Sequence, residues 1–479
     1  MTKMSGLVKN TFYSALTNVI QFLTNILILI LLARPLGAEE FGRLLLAISF
    51  CSIFGMLVEF GFNWYATKEV SQKSDSAQRI TGKIFNSQLF LGLGASVLVM
   101  IFVLLLNYPP KTRLIIGIIW ISTILSSLTH TVRSVFRGEN KFQYETLLHI
   151  ILFAALTLLL ATSPLLHAGT AAFAGAILGA RIVYFAAGLF LFKMNFGKIE
   201  FDFDCKKGWQ LMKTTLAYGI QIILARLLLE LNTIVLYPYQ GNSGVGIYQA
   251  SLRFVLAFLL ISDIFVQAFF PVISSSVHAD PLKFVKIGTF LNRCLLTIGA
   301  YGTGFFFIFA DILVSTIYGA QYSAAVPILR ILAFAILIKF LSSTQAIVLI
   351  ASDRQNMRAQ SSAIALSFNV LSAFVLIPLL GLWGAAVSTV ATFMIMTIAY
   401  SYFVRKTIHR LFYDRRCLYS IVLVLSGSAV TWYLKSVSLT LGIAGYLILG
   451  LVLFLVATTT EEKREMRNVF LVRKIESYG

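Results

Sequence analysis

The chain has 479 residues, of which 58% are hydrophobic and only 12% are charged, and its mean hydropathy is +0.84. Soluble domains carry about twice that charged fraction, so the composition excludes a soluble globular protein. The net charge of +19 does not indicate nucleic-acid binding, because the basic residues lie in short loops between apolar runs, where a positive-inside bias would place them.

Apolar runs long enough to cross a bilayer core of about 30 Å recur along the whole chain. We predict about fourteen transmembrane helices, near residues 11–33, 43–66, 84–106, 114–136, 145–165, 170–192, 212–236, 245–271, 288–310, 325–350, 359–380, 382–404, 417–434 and 437–457. The first run is too long for the apolar core of a signal peptide, and we expect a retained helix. Thr458 and Glu461 have the spacing of a capping box, which predicts a short cytoplasmic helix in the tail, residues 458–479.

The distribution of basic residues predicts the orientation in the membrane. With the N-terminus in the cytoplasm, 29 of the 39 Lys and Arg residues fall in inner segments, 5 in outer loops and 5 within spans. Cytoplasmic loops of membrane proteins carry such an excess. We therefore predict a multi-pass protein of the plasma (inner) membrane with both termini in the cytoplasm.

The cysteines and histidines show no pattern of a metal site. Cys51, Cys205, Cys294 and Cys417 are far apart, and we expect free thiols. The five histidines make no ligand pattern either. We expect neither a metal nor a cofactor.

The two halves of the chain resemble each other weakly. Residues 20–23 align with 220–223 at an offset of 200, and residues 41–44 align with 245–248 at 204, the offset at which Glu59 falls on Asp263. Further pairs, 137–140 with 351–354 and 170–172 with 384–386, align at 214. We predict an all-α polytopic fold with two pseudo-symmetric six-helix lobes, residues 1–195 and 205–405, followed by a two-helix appendix at 417–457. Transporters with parallel repeats of this kind hold their substrate between the lobes.

One apolar stretch, Leu216 to Tyr237, carries the polar residues Gln221, Arg226, Glu230 and Asn232. A charge in a membrane span is rare unless it faces a partner or a watery path. Arg226 and Glu230 are four residues apart and could pair on one helix face. We expect this stretch to contribute to a polar path through the protein.

Four short motifs resemble those of one transporter family, in the family's order. Residues 36–42 (LGAEEFG) resemble its "LGxxxFG" element, and residues 59–61 (EFG) its "DxG" element with Glu in place of Asp. Residues 318–322 (YGAQY) resemble its "YGxxY" loop, and residues 381–386 (GLWGAA) its "GxxGAA" element. The chain thus resembles the lipid-linked oligosaccharide (O-antigen type) flippases of the multidrug/oligosaccharidyl-lipid/polysaccharide exporter superfamily.

The resemblance implies transport of a polyprenyl-diphosphate-linked glycan from the inner to the outer leaflet. Relatives often carry Asp where this chain has Asn232, which puts an ion-coupling role at that position in doubt. Such a cargo needs cations for its diphosphate, and the forked arginine side chain suits phosphate. The candidate substrate-binding residues are Arg34, Arg226, Arg253, Lys339, Asn18, Gln21, Asn25, Gln221 and Asn232.

Each candidate also has a structural interpretation. Arg34 could snorkel to the membrane interface, Arg226 could pair with Glu230, and Arg253 could cap the outer end of its helix. Asn18, Gln21 and Asn25 form a polar stripe on one face of the first helix, and this stripe could serve helix–helix hydrogen bonding. The candidates for gating or ion coupling are Glu59, Glu230 and Asp263. Glu59 and Asp263 could equally pair with basic residues of the inner loops.

Three functions from different classes remain open. The first is the flippase, whose partners are the lipid-linked oligosaccharide, membrane lipid, a coupling proton or cation, and other polysaccharide-assembly proteins. The second is a drug or cation antiporter of the same superfamily, which needs acidic coupling residues, whereas the charges here are mostly cationic. The third is a membrane enzyme, which the short outer loops argue against, and we expect no enzymatic activity.

Overall fold

The computed structural model describes residues 2–72, 76–163, 169–201, 205–408, 412 and 414–457. Its α-helices are α1 (Thr2–Glu59), α2 (Phe62–Gln72), α3 (Ala77–Leu105), α4 (Pro110–Gly138), α5 (Phe142–Thr162), α6 (Thr170–Phe196), α7 (Cys205–Ala279), α8 (Pro281–Ile317), α9 (Ala325–Ala351), α10 (Gln355–Leu380), α11 (Leu382–Ile408), α12 (Arg415–Val437) and α13 (Leu439–Ala457). A 3₁₀ turn, Ala320–Tyr322, precedes α9, and no strand occurs within the described ranges. The predicted tail helix lies outside them.

Two long elements each contain two of the predicted helices. α1 turns at Gly37 (φ 69°, ψ 172°) and α7 turns at Gly241 (φ 60°, ψ −165°). Glycine adopts such positive φ angles at no steric cost. If the two parts of α1 and of α7 are counted separately, and α2 is counted as an extension of the second part of α1, the total is the fourteen predicted helices. The predicted breaks between these helices, at residues 34–42 and 237–244, are each a turn at a single glycine.

The helices are long and apolar enough for a polytopic membrane protein. Among the described residues, eleven helices meet the length and hydropathy of a membrane span, and shorter apolar helices cover Phe12–Ile28 and Leu439–Leu453. Because a helix satisfies all of its backbone hydrogen bonds internally, an all-helical chain is one of the two structures that can cross a bilayer. The predicted fold class is confirmed.

The chain forms two compact units. The first contains residues 1–250, 317–324 and 369–388, and the second contains 251–316, 325–368 and 389–479, in so far as these are described. In the first unit α1, α4, α5 and α6 pack together. In the second, α12 and α13 pack on each other, and Tyr446 of α13 stacks on Tyr301 of α8 with ring centroids 4.5 Å apart. The first unit extends beyond the predicted lobe boundary at residue 195.

The backbone supports the internal repeat. The turn glycines Gly37 and Gly241 are separated by the predicted offset of 204. Gly42 and Gly246 obey the same offset and pack reciprocally: a Cβ at Gly42 would overlap the backbone oxygen of Asn242, and a Cβ at Gly246 would overlap that of Ala38. Only glycine permits so close an approach of two backbones.

The later repeat offsets need correction. The left-handed residues Asn140 and Asp353 end equivalent helices 213 residues apart, and the left-handed glycines Gly169 and Gly381 begin equivalent helices 212 residues apart. The predicted offset of 214 was wrong at both positions. A weak resemblance over three or four residues does not resolve a shift of one or two positions, whereas the positive φ angles mark the helix ends.

Two of the motifs meet in the first unit. Phe41 is fully buried, and its ring centroid lies 6.3 Å from that of Tyr318 and 6.0 Å from that of Tyr322. The Tyr322 hydroxyl donates to the Ala33 carbonyl at 3.0 Å, and the Tyr318 hydroxyl donates to the Ala250 carbonyl at 3.0 Å. The 3₁₀ turn is thus joined to both arms of α1 and to α7.

Candidate functional site

Charged and polar side chains from five helices of the first unit interact with one another. We call this set the charged cluster, and its members are Glu59 of α1, His130, Arg133 and Arg137 of α4, Glu145 and His149 of α5, Arg181 and Tyr184 of α6, and Arg226 of α7. Ionised groups inside membrane spans are rare and mark functional sites by default. The cluster is therefore our candidate site.

The end of α1 brings Glu59 into the cluster. The helix ends here because Phe60 (φ 35°) and Gly61 (φ 78°) leave the helical conformation. A Cβ at Gly61 would lie 2.6 Å from the Tyr218 Cβ, so this turn packs directly on α7. The Glu59 Oε1 lies 2.8 Å from the His130 Nδ1 of α4. A carboxylate at a helix C-terminus is disfavoured by the helix dipole, and cationic neighbours offset that cost.

Glu145 holds two arginines of α4. Its carboxylate accepts from the Arg133 guanidinium at 2.8 Å and from two nitrogens of Arg137 at 2.5 and 3.2 Å. The side chain of Glu145 is 3% exposed and that of Arg133 is 12% exposed. Buried charges persist only when they are paired. This pair therefore fixes the start of α5 against the end of α4.

The polar stripe of the first predicted helix reaches the cluster through Gln21. The Gln21 Nε2 lies 2.9 Å from the His149 Nε2, and the buried His149 ring lies 6.1 Å from the ring of Tyr184. The Arg181 Cζ lies 5.9 Å from the centre of the same Tyr184 ring. Gln21 thus makes a hydrogen bond between two helices, as the structural interpretation of the polar stripe expected. Its partner His149 belongs to the charged cluster. Asn18 is half-buried, and the side chain of Asn25 lies outside the described part of the chain.

The cluster carries more positive than negative charge. Four arginines face two glutamates, so that even with both histidines neutral two positive charges have no carboxylate of their own. Arg226 and Arg133 act electrostatically on Glu59, and Arg181 acts on it as well. Arg226 is exposed. An excess of guanidinium groups on membrane-spanning helices suits an anionic ligand such as a phosphate.

The expected pair between Arg226 and Glu230 does not form. Within the described ranges no salt bridge joins them, and Glu230 is 8% exposed whereas Arg226 is exposed. The spacing of four residues permits such a pair, but arginine before glutamate is the weaker order. The electrostatic partner of Arg226 in the cluster is instead Glu59.

Arg34 contacts the turn that follows α8. Its Nε donates to the Ile317 carbonyl at 3.0 Å, and its own carbonyl accepts from the Gln321 Nε2 at 3.2 Å. Arg34 is exposed. These bonds give it a structural role at the junction between two motifs, and its substrate-binding role stays a prediction.

Asn232 lies in a buried hydrogen-bonded network. It is 2% exposed, its Nδ2 donates to the Ala385 carbonyl at 3.5 Å, and its Oδ1 accepts from the Asn369 Nδ2 at 3.3 Å. Asn369 also bonds to Ser388 at 3.4 Å. The network links α7 to the helices on either side of the "GxxGAA" motif. Gln221, on the preceding turns of α7, is half-buried.

The remaining candidates belong to the second unit. Lys339 and Arg358 act electrostatically on Asp263, and Arg358 lies in the first turns of α10. Lys339 lies in the middle of α9 and not in an inner loop, so the interpretation in which Asp263 pairs with bases of the inner loops stays a prediction. Arg253 is half-buried, and its Nε has no hydrogen-bond partner within the described part of the chain.

Several members of the cluster were missed in the sequence. Arg133 of α4 and Arg181 of α6 are not among the candidates named from the sequence. The histidines were dismissed because they form no metal pattern, and no group of three metal ligands occurs among the residues that the structure describes. These residues could have been selected from the sequence, because Arg133, Arg181 and Glu145 are charged residues within predicted spans.

The chain is similar to known proteins over most of its length. Residues 7–277 match the family described as "Polysaccharide biosynthesis protein". A putative O-antigen transporter of Escherichia coli (strain K12) is 25% identical over 429 residues, covering 85% of this chain and 98% of the relative. A probable low-salt glycan biosynthesis flippase of Haloferax volcanii is 22% identical over 385 residues, covering 78% of each chain.

Solved structures share the fold at low sequence identity. The lipid II flippase MurJ in an inward closed conformation aligns with a TM-score of 0.73 and 14% identity, covering 93% of this chain and 99% of that one. An inward-facing multidrug resistance transporter of the MATE family aligns with a TM-score of 0.64 and 14% identity, covering 82% and 94%. The fold is thus shared by transporters whose cargoes differ.

Proposed function

Because the chain belongs to the polysaccharide biosynthesis protein family, within the superfamily of multidrug, oligosaccharidyl-lipid and polysaccharide exporters, we propose that it is a lipid-linked oligosaccharide flippase. It moves a polyprenyl-diphosphate-linked repeat unit from the inner to the outer leaflet of the plasma membrane by alternating access. Both termini lie in the cytoplasm, and the repeat unit is used for surface polysaccharide.

The observation that carries this proposal is the surplus of arginine in the charged cluster. A diphosphate is the most strongly charged part of the cargo, and moving it through a membrane requires groups that replace its hydration. A guanidinium can donate two parallel hydrogen bonds to phosphate oxygens. Arg226 is the first contact in this proposal because it is exposed and lies in the stretch of α7 that the sequence singled out.

The other arginines of the cluster differ in whether they form a salt bridge with a carboxylate. Arg133 and Arg137 are held by Glu145. Arg181 stacks on Tyr184 and has no salt bridge among the described residues. Arg181 is therefore the second contact that we assign to the anionic cargo, in addition to the candidates named from the sequence. Gln21 and Asn18 would meet sugar hydroxyls beside it.

Glu59 is the group of the cluster best placed for gating or ion coupling. It shares a hydrogen bond with His130, a residue that changes charge near neutral pH when unperturbed. A phosphate bound to Arg226 would weaken the electrostatic effect of this guanidinium on Glu59. In this proposal cargo binding and the protonation of the Glu59–His130 pair are linked, whereas Glu230 and Asp263 play lesser parts.

A drug or cation antiporter is the alternative within the same fold. The multidrug neighbours share the fold at 14% identity, and a shared fold does not by itself assign their cargo to this chain. A site for cationic drugs needs a surplus of carboxylates, and the cluster has the opposite balance. The named relatives are transporters and flippases rather than enzymes, which favours transport without covalent chemistry.

The experiment uses a strain that lacks the protein. Polyprenyl-linked oligosaccharides are extracted and analysed by mass spectrometry, and surface polysaccharide is measured in parallel. We expect complete repeat units to accumulate on the lipid carrier while surface polysaccharide is lost. An unchanged lipid-linked pool together with increased sensitivity to cationic drugs would reject the flippase and favour the antiporter.

A further inference from the structure

A second group of cations and aromatic rings lies at one end of the second unit. It consists of Arg330 of α9, Phe307 and Asp311 of α8, and Trp432 and Lys435 of α12. α8 and α12 end here, and α9 begins here. We call this group the arginine–tryptophan site.

The arginine and the tryptophan of the site lie near the ends of their helices. Arg330 is five residues after the first residue of α9, Ala325, and Trp432 is five residues before the last residue of α12, Val437. At a rise of about 1.5 Å per residue both lie roughly 7–8 Å inside their helix ends. Long basic and aromatic side chains this close to the end of a membrane helix can reach the head groups.

The aromatic rings hold the guanidinium of Arg330. Its Cζ lies 4.9 Å from the centre of the Trp432 ring and 6.0 Å from that of Phe307, and its Nε donates to the Phe307 carbonyl at 3.2 Å. Stacking on two rings and one backbone bond restrict how the side chain can move. The fork of the guanidinium is thus held in place instead of sampling many rotamers.

The surroundings of the site face outward. Trp432 is 40% exposed, its neighbour Tyr433 is 69% exposed, and Phe334 beside Phe307 is 46% exposed. Trp and Tyr concentrate where membrane helices meet the head groups. An arginine held between such rings faces the lipid boundary.

The charges of the site leave Arg330 without a carboxylate. Asp311 pairs with Lys435 at 2.5 Å, and the Lys435 Nζ also donates to the Ile308 carbonyl at 2.6 Å. Arg330 forms no salt bridge with any residue that the structure describes. The hydrogen bond to the Phe307 carbonyl uses Nε, and the two terminal nitrogens have no hydrogen-bond acceptor among the described residues.

We propose that the arginine–tryptophan site binds the phosphate group of a membrane lipid. Two terminal nitrogens of a guanidinium match two oxygens of a phosphate, and the pairing of Asp311 with Lys435 leaves the charge of Arg330 as the net charge of the site. Two lipids carry this chemistry: an anionic phospholipid, and the diphosphate-bearing polyprenyl carrier. The inference does not depend on the proposed function, because the site belongs to the second unit and the charged cluster to the first.

The test uses the purified full-length protein and three variants. Arg330→Gln removes the charge, and Arg330→Lys retains it without the fork. Arg405→Gln is the matched control, because Arg405 is an exposed arginine of the same unit at the end of α11. Binding of phosphatidylglycerol, phosphatidylcholine and undecaprenyl diphosphate is measured by native mass spectrometry, and chromatographic profiles verify that each variant is folded.

We expect the unmodified protein and the Arg405→Gln variant to retain the same lipid, and both Arg330 variants to bind it at least about threefold less tightly. Preference for phosphatidylglycerol identifies a phospholipid site, and preference for undecaprenyl diphosphate identifies a carrier site. Equal binding by all four proteins would overturn the proposal. Full binding by Arg330→Lys would overturn the bidentate phosphate contact and leave only a snorkelling charge.

Discussion

The buried carboxylate of Glu145 offers the sharpest test of the charged cluster. Replacing it with glutamine keeps its size but removes the charge that holds Arg133 and Arg137. Breaking a buried ion pair by removing one partner costs about 3–5 kcal/mol, because the other charge remains buried without compensation. Arg137 is 45% exposed and can turn to water, whereas Arg133 is 12% exposed and cannot. We therefore expect a loss near the lower limit, about 3 kcal/mol.

The assay is thermal unfolding of the detergent-purified protein, followed by the fraction that remains monodisperse. The control is Glu200→Gln, because Glu200 pairs with Arg79 at 3.6 Å with both side chains more than half exposed. Pairs of that kind contribute about 1 kcal/mol or less. The double variant Arg133→Gln with Glu145→Gln should recover most of the loss, since no buried charge is then left unpaired. A Glu145→Gln variant that is as stable as Glu200→Gln would refute the pairing.

Three further predictions concern transport, packing and topology. Arg226→Ala should abolish surface polysaccharide while the protein remains in the membrane, and normal polysaccharide levels would remove this residue from the mechanism. Gly42→Ala should strongly reduce the yield of folded protein, because the added Cβ would overlap a backbone oxygen. Gly94→Ala should be tolerated, because Gly94 has open space around it. Equal yields of the two variants would contradict the close helix contact at Gly42. A reporter fused at Gly241 should lie outside and one at Cys205 inside, and the reverse pattern would exclude the predicted orientation.

The sequence predicted the helices well because their signal is local. Twenty apolar residues in a row specify a span wherever they occur, and the repeat predicted that Gly42 and Gly246 are equivalent. Their reciprocal contact could not be predicted, since an offset between two segments does not say that the segments touch. The turns at Gly37 and Gly241 were expected as loops, because nothing in the composition distinguishes a short loop from a single glycine with positive φ.

The partners in the charged cluster could not be predicted in the same way. Glu145 and Arg133 belong to different helices, and their pairing depends on how those helices rotate and pack. The pair that the sequence suggested, Arg226 with Glu230, rested on spacing within one helix. In the structure Glu230 is buried and Arg226 is exposed, so this local spacing did not determine the contact. The packing of neighbouring helices determines which charged side chains form salt bridges.

The fold and the cluster therefore answer different questions about function. A lipid II flippase and multidrug transporters share this fold, so the fold alone does not choose the cargo. The choice depends on side chains, and here the signs of the charges differ from what a cationic drug requires. Adding carboxylates at the arginine positions should therefore change the preferred cargo without changing the fold. Arg181→Glu is the most direct such change. Arg181 lies over the Tyr184 ring, and its replacement breaks no salt bridge among the described residues.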